Sequence, residues 1–379
     1  MTHARNRITA WKKKCILRFA TWNIKSFNNK DQETLKELKD NKIDICALQE
    51  TKKKGKGQLQ YDDYLVIYSG VEKQTRAKEG VAIAVARKYQ SNIRHCSYVS
   101  SRILVVRMET GDQKLNIVSV YSPEDNKPKQ ERESFYDQLQ NTIQSLPSDQ
   151  HILILGDFNA RIGNQIIPGI KQRFNENVLN DNGELMIDLC TFNELRINNT
   201  FYDHKEQHKF TFSNTRGHRS TIDYIVTNRY IHPLQILDIR TLNSADVGSD
   251  HSLLLAKIKL KFKPHKKLGQ ATQEVKINIE SLWGLSIKQL YEKRLTEKIQ
   301  VNPIKAEDSI NTSWEKLKNN IKEAAYEALG TRSIKRNNST KINKTPWFRP
   351  EIKEKCREKK IAYLNYRTAN RSRRCSGQN

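Results

Sequence analysis

Short apolar runs alternate with polar connectors from residue 16 to residue 263, and many of the runs are rich in Val and Ile. Short apolar runs bounded by polar and turn-forming residues are typical of β-strands. Apolar residues at helical spacing predict three helices, over residues 32–41, 131–145 and 182–194, the last beginning after a capping Asp181. We predict nine strands, over residues 16–21, 43–49, 64–69, 81–87, 103–108, 115–121, 152–156, 221–227 and 252–262.

The number of strands favours two sheets, because that many strands rarely form one flat sheet. Each predicted helix follows a strand and can cover the outer face of a sheet. The pattern therefore predicts an α/β fold for residues 16–263, a four-layered α/β sandwich in which two packed mixed β-sheets are flanked by helices.

The pattern changes after Phe262, where Lys-rich sequence with helical periodicity predicts helices over residues 279–297, 307–329 and 351–368. Residues 331–345 are basic and nearly free of apolar residues, which is typical of a flexible linker. We therefore divide the chain into a basic N-terminal segment, residues 1–15, the sandwich domain, residues 16–263, and a basic, mainly helical extension, residues 264–379.

The chain is strongly basic, with 67 Lys and Arg against 42 Asp and Glu, a net charge of +25. The extension carries 26 basic against 12 acidic residues, net +14, and the first 263 residues carry 41 against 30, net +11. A positive field of this size favours a polyanion, with nucleic acid ahead of an anionic membrane surface. No apolar run reaches 18 residues, so a membrane-spanning helix is not expected.

The six cysteines are scattered without a C-x-x-C pair, which argues against a zinc site and against a disulfide framework. Basic residues also interrupt the N-terminal region, so it lacks a signal-peptide pattern. We expect an intracellular location, in the nucleus, and no membrane partner.

Five short motifs lie at or just beyond predicted strand ends: TWN, LQET, VYSP, GDFNA and SDH. A sixth, STIDYIVTN, contains a predicted strand. Side chains at the ends of several strands can converge in space although they are far apart in sequence. The motifs contain the candidate residues Asn23, Glu50, Tyr121, Asp157, Asn159, Asp223, Asp250 and His251.

Glu50 and Asp250, with Asn23 nearby, offer the hard oxygen ligands that suit Mg²⁺, with Mn²⁺ as an alternative. Such an ion takes one or two carboxylates and completes its shell with water and phosphate, so no small-molecule cofactor is expected. Each of these residues, taken alone, could also have a structural role without function. Glu50, for example, could be a solvated or ion-paired carboxylate.

The remaining candidates suit phosphodiester hydrolysis. Asp157 can orient or deprotonate a water, with Asn159 two residues on pointing to the same side of an extended segment. His251 can donate to a phosphate oxygen or transfer a proton, held by Asp223, which raises the pKa of its ring. The Tyr121 phenol can hydrogen-bond the phosphate or a developing oxyanion.

The motifs TWN, DICALQET, EGVAIAV, NIVSVYSP, ILILGDFNARIG, FTFSNTRGHRSTIDYIVTN and SDHSLL occur in that order. This set resembles the exonuclease-endonuclease-phosphatase superfamily, which has a DNase I-like fold. Within it, the set is similar to the apurinic-like endonuclease domain of non-LTR retrotransposons of the RTE or Bov-B kind. The resemblance covers residues 16–262.

The resemblance implies Glu50 as the main metal ligand and Asn23 as an amide near the metal and phosphate. It also implies that Asp157 acts on the nucleophilic water, that Tyr121 and Asn159 contact the phosphate, that Asp223 pairs with His251, and that Asp250 lies beside the metal.

Two positions depart from repair apurinic endonucleases, which have an aspartate two residues after the first Asn and an Asn right after Y-x-P. Lys25 and Glu124 occupy these positions, so abasic-site repair is not the expected activity. The stretches SWEKLKNNIKEAAYEALG and TPWFRPEIKEKCREKKIAYLNY resemble the region that precedes reverse transcriptase in such elements. We expect a chain truncated before that enzyme.

Basic residues flank the motifs and are candidate DNA contacts, although a solvated loop explains them almost as well. They are Lys52, Lys53, Lys54, Arg216 and Arg219.

The first hypothesis is a Mg²⁺-dependent endonuclease that nicks DNA and leaves a 3′-hydroxyl for target-primed reverse transcription, with element RNA as a second partner. The alternatives are a catalytically inactive nucleic-acid-binding remnant and a phosphoesterase that acts on small substrates.

Overall fold

The computed structural model describes residues 15–262 except Asp112 and Thr215, residues 273–335 except Ala306, and residues 351–352, 354–359, 361–362 and 365. The chain forms two compact units. The first contains residues 1–266 and 341–379, and the second contains residues 267–340.

The first sheet of the larger unit has seven strands in the order β14-β15-β1-β2-β5-β4-β3. In chain order they are β1 (Cys15–Asn23), β2 (Ile45–Gln49), β3 (Lys56–Gln60), β4 (Tyr64–Ser69), β5 (Val81–Ala86), β14 (Ile236–Leu242) and β15 (Leu253–Leu260). The sheet is mixed, because β1 runs parallel to β2 and antiparallel to β15.

The second sheet has six strands in the order β10-β13-β9-β8-β7-β6, and only β8 and β9 run parallel. Its strands are β6 (Ile93–Tyr98), β7 (Ile103–Thr110), β8 (Gln113–Tyr121), β9 (His151–Asp157), β10 (Arg196–Ile197) and β13 (Asp223–Thr227). A short separate pair, β11 (Phe212–Ser213) and β12 (Arg219–Ser220), lies between β10 and β13 in the chain.

Three helices complete the layers: α1 (Asp31–Asp40), α2 (Lys129–Gln144) and α3 (Asp181–Phe192). Successive strand residues point to opposite faces of a sheet. Ile117 of β8 therefore joins the core between the sheets, whereas Val118 packs with Phe135 of α2. Trp22 of β1 packs in the same way with Leu38 of α1. The predicted four-layered α/β sandwich is confirmed.

All nine predicted strands of the sandwich are present, whereas β3, β6, β10 and β14 and the separate pair β11–β12 were not predicted. The first four are edge strands, and β3 and β6 are largely polar and only partly buried. An edge strand needs no continuous apolar pattern, because one side is unpaired and solvated. Helix α3 begins one residue earlier than predicted, with Asn180 as its cap, since the Asn180 side chain accepts a hydrogen bond from the Gly183 N–H.

The smaller unit packs two helices, α4 (Leu285–Val301) and α5 (Ile310–Leu329), as the periodicity predicts. Its strand β16 (Gln273–Ile277) pairs antiparallel with β17 (Thr331–Lys335). The prediction of a linker over residues 331–345 was therefore wrong for its first five residues, because their partner strand lies before both helices. Residues 336–345, and the N-terminal segment up to residue 14, lie outside the described residues.

The third predicted helix of the extension, over residues 351–368, is helical wherever the structure describes it. In the described part of the chain, no helix combines the length and the apolar character needed to cross a membrane.

Candidate active site

The first sheet brings three candidates to one edge. The parallel pairing of β1 with β2 places Asn23 opposite Gln49, and Glu50 follows directly. Because β15 runs antiparallel to β1 and begins at Leu253, His251 lies just before it at the same edge.

The second sheet contributes at the corresponding edge. Tyr121, the last residue of β8, is in register with Asp157, the last residue of β9. Asp223 begins the antiparallel strand β13 and is also in register with Asp157. Strand pairing alone therefore places these three side chains next to one another.

Asn23 joins the carboxylates of the two sheets. Its Nδ2 donates to Glu50 Oε1 at 2.9 Å and to Asp157 Oδ2 at 2.9 Å. The hydroxyl of Tyr121 donates to the same Glu50 Oε1 at 3.1 Å. Asn23 has no exposed surface, whereas the Glu50 side chain is 19% exposed. Asn23 and Tyr121 thus hold the Glu50 carboxylate from its buried side, while part of the side chain remains exposed to solvent.

His251 and Asp223 form a buried pair, with His251 Nδ1 and Asp223 Oδ2 3.0 Å apart. The other ring nitrogen, Nε2, lies 3.9 Å from Asp157 Oδ2 and 4.0 Å from Asp250 Oδ1. The ring of Phe212 packs edge-on against the imidazole at 5.1 Å. The pairing with Asp223 orients the ring so that Nε2 faces Asp157.

The surroundings change the acidity of this cluster. Burial lowers the pKa of His251, but the charge and hydrogen bond of Asp223, followed by the charges of Asp157 and Asp250, outweigh it and raise that pKa to about 9. Burial, together with the charge of Asp223, raises the pKa of Asp157 to about 7. Burial and the nearby Glu50 raise the pKa of Tyr121. At neutral pH the site therefore holds a cationic histidine beside a carboxylate that readily exchanges a proton.

Asn159 has left-handed backbone dihedrals, with φ of 48°, where an extended segment was predicted. Its backbone N–H donates to Asp157 Oδ1 at 2.9 Å, and its Nδ2 donates to the Ser122 carbonyl at 2.9 Å. Asn159 thus fixes the Asp157 carboxylate and ties together the ends of β8 and β9.

The arrangement of ligands fits a divalent cation. Asp250 Oδ1 and Asp223 Oδ1 are buried and have no hydrogen-bond partner among the described residues. Oxygen and nitrogen atoms of Asp157, Asp223 and His251 lie within 4.8 Å of one another and could also hold an ion. A Mg²⁺ ion prefers oxygen ligands with room for water, a requirement that the partly exposed Glu50 meets better than the buried group of Asp157, Asp223 and His251.

Of the predicted basic residues, Lys52 lies nearest the cluster, with its Nζ 3.9 Å from Glu50 Oε2. Lys53 lies over the Phe27 ring, and Lys54 donates to the Lys73 carbonyl. Arg219 lies on strand β12, 3.8 Å from Glu206. Arg216 is exposed in the turn between β11 and β12.

Three supporting residues were not predicted as part of the site. Arg102 lies over the Tyr121 ring, with its guanidinium 5.2 Å from the ring centroid, and donates to the Tyr121 carbonyl at 3.3 Å. Lys25 forms an ion pair with Asp250 at 2.6 Å, and the Ser249 hydroxyl donates to the Asn23 carbonyl at 2.7 Å. Arg102 belongs to no motif, so only the fold reveals its proximity.

Residues 20–251 match the Endonuclease/Exonuclease/phosphatase family. The chain belongs to this family. Its members are metal-dependent phosphodiesterases and nucleases, so the fold and the metal-binding chemistry of the site agree with the assignment.

Two relatives, both named Craniofacial development protein 2, are 34% identical to this chain over 245 residues. The matches cover 64% of this chain, with 41% of the protein from Bos taurus and 42% of that from Tragulus javanicus. The chain therefore matches about two fifths of these relatives. An AP endonuclease structure from Leishmania major is similar in fold, with a TM-score of 0.50, 14% identity, and coverage of 67% of this chain and 91% of that one.

Proposed function

We propose that this member of the Endonuclease/Exonuclease/phosphatase family is a Mg²⁺-dependent DNA endonuclease that hydrolyses one phosphodiester bond and leaves a 3′-hydroxyl. The observation that carries the proposal is the amide of Asn23, which holds Glu50 and Asp157 2.9 Å from the same nitrogen, beside the His251–Asp223 pair. This places an open carboxylate next to a buried acid–base centre.

Glu50, oriented by Asn23 and with Asp250 beside it, would hold Mg²⁺, or Mn²⁺ in its place, and the ion would neutralise negative charge on the scissile phosphate. Asp157 is positioned to orient the attacking water and accept its proton, since a pKa of about 7 suits a general base at neutral pH. His251 is positioned to donate from Nε2 to a phosphate oxygen, because Asp223 keeps the ring protonated.

Tyr121 would support the phosphate side of the reaction, and Asn159 the carboxylate that acts on the water. The Tyr121 hydroxyl keeps its proton, because its pKa is raised, and it can donate to an oxyanion as charge develops. Asn159 holds the Asp157 carboxylate through its backbone N–H.

DNA is the proposed substrate because the chain carries a net charge of +25 and an extended basic surface suits a polyanion better than a small phosphoester. Lys52, Lys53, Lys54, Arg216 and Arg219 are proposed phosphate contacts. In the context of a non-LTR retrotransposon, the 3′-hydroxyl would prime reverse transcription in the nucleus, and the basic extension would bind element RNA. The motif order supports this part of the proposal.

The test is nicking of supercoiled plasmid by the full chain with Mg²⁺, compared with Glu50→Ala and Asp157→Ala. Glu72→Ala is the matched control, because Glu72 is an exposed carboxylate. We expect nicking by the unsubstituted chain and the control alone, with nicks that a DNA polymerase extends directly. DNA retention on gels without nicking in any divalent metal would favour an inactive binding protein. Faster turnover of soluble phosphoesters than of DNA would favour a small substrate.

A further inference from the structure

Two lysines from distant parts of the sequence meet at the loop that precedes Asp250. A Cβ atom placed on Gly248 would lie 3.4 Å from Lys359 Nζ and 3.9 Å from Lys30 Nζ. Lys30 immediately precedes α1, and Lys359 belongs to the helical residues 354–359, called here the C-terminal helix. Both lysines belong to the larger compact unit.

Hydrogen bonds join the Gly248 loop to the active-site residues Asn23 and His251. The Gly248 N–H donates to Asp246 Oδ1 at 2.8 Å. The next residue, Ser249, donates from its hydroxyl to the Asn23 carbonyl and accepts from the His251 N–H at 3.1 Å. The Cα atoms of Gly248 and Asp250 can be at most about 7.6 Å apart, because each trans peptide spans about 3.8 Å.

The carboxylates of Glu33 and Asp246 compensate the charge of the two ammonium groups only in part. Lys359 forms one ion pair, with Glu33 at 3.2 Å, and no carboxylate of the described residues forms an ion pair with Lys30. Partial burial and then the charge of Lys359 lower the pKa of Lys30, the charges of Glu33 and Asp246 raise it, and Lys52 lowers it further, with a net lowering. Two ammonium groups beside the same loop repel each other, and an anion bound by both reduces this repulsion.

Resting on the proposed function, we propose that Lys30 and Lys359 together bind one backbone phosphate of the DNA, close to the scissile phosphate. An ammonium group only donates hydrogen bonds, so this pair is suited to an anion. Because Gly248 is two residues from Asp250, the bound phosphate belongs to a nucleotide near the scissile bond. The C-terminal helix is then part of the DNA-binding surface.

The experiment measures binding of a labelled duplex to the full chain by fluorescence anisotropy in EDTA, over a range of salt concentrations. The variants are Lys30→Gln, Lys359→Gln and the double variant, and Lys359→Arg should keep the interaction because it keeps the charge. Arg357→Gln is the matched control, since Arg357 is paired with Glu354 at 3.3 Å and residues two apart on a helix face different directions.

We expect the double variant to reduce the slope of log Kd against log salt by about 0.9, the value for one lost phosphate contact. The loss should be the same for duplexes of different sequence. The two single substitutions should not be additive, because both lysines hold the same phosphate.

A slope in the double variant equal to that of Arg357→Gln would overturn the inference. Tighter binding by Lys359→Gln would also overturn it and would indicate that the C-terminal helix blocks DNA. Thermal melting of each variant separates lost binding from unfolding. The inference and the proposed function fail separately, because binding is measured without metal whereas nicking by the unsubstituted chain requires it.

Discussion

The two halves of the active site differ in how completely they are withdrawn from solvent. Asp157 and Asp223 are 1% exposed and lie on the second sheet, whereas Glu50 is 19% exposed and lies directly after strand β2 of the first sheet. The buried half has strongly shifted pKa values for Asp157 and His251. Burial therefore creates the acid–base chemistry, while exposure leaves Glu50 able to bind a ligand.

The largest expected effect comes from the buried half. Substitution His251→Ala or Asp157→Asn should lower the rate of plasmid nicking by about 10²–10⁴-fold, the usual contribution of a positioned acid or base. Additional Mg²⁺ should not restore activity. A rate close to that of the unsubstituted chain would show that the chemistry does not depend on this half.

The exposed half of the site, which contains Glu50, should respond differently to substitution. Substitution of a residue that only hydrogen-bonds a metal ligand typically lowers metal affinity or activity by about 10–100-fold. Glu50→Gln should therefore lower the nicking rate at low Mg²⁺ by at least as much. Activity should recover in part as the Mg²⁺ concentration rises, and calorimetry should show weaker Mg²⁺ binding. If raising Mg²⁺ had no effect on Glu50→Gln, the two halves would be indistinguishable and Glu50 would not be the ligand.

The difference between the halves also predicts a pH dependence. Asp223 raises the pKa of His251 against the effect of burial, so that the imidazolium is present below about pH 9 and is lost above it. In Asp223→Asn this pKa falls, and the alkaline limb of the pH profile of kcat/KM should move to lower pH.

The chain offers a matched control for the pH experiment. His204 Nε2 and Asp238 Oδ1 form another histidine–carboxylate pair at 3.0 Å. Asp238→Asn should leave the pH profile unchanged. A profile that is also unchanged in Asp223→Asn would contradict the assignment of the alkaline limb to His251.

The smallest effect is expected at Arg102, which touches both Tyr121 and Glu79 and lies outside both halves. Arg102→Ala should lower the free energy of unfolding by about 1–2 kcal/mol, since its cation–π contact is largely desolvated. Nicking should fall only a few-fold. Arg94→Ala is the comparison, because Arg94 pairs with Glu109 on the surface and such pairs contribute at most about 1 kcal/mol. Equal losses of stability in the two variants would contradict this role.

Much of the site could be predicted because its residues follow strands with clear apolar patterns. Asp157 ends the run ILILGD, and His251 precedes the run LLLAKIKL, so the fold brings them together once the two sheets are predicted. Glu50 follows the run ICALQ in the same way. These positions depend on local pattern and strand order, which a sequence contains.

The rest depends on contacts between distant residues. Arg102 reaches Tyr121 from the turn between β6 and β7, and Lys359 reaches Gly248 from more than a hundred residues away. Asn159 was predicted to be extended, but its left-handed backbone lets its N–H cap Asp157. Such details follow from packing, because no local pattern encodes which carbonyl or ring a long side chain will meet.

The hydrogen bonds of Asn23 have a mechanical consequence. A side-chain amide nitrogen has two hydrogens, and Asn23 directs one to Glu50, beside its own sheet, and the other to Asp157 on the opposite sheet. Any sliding of one sheet over the other must therefore break this link.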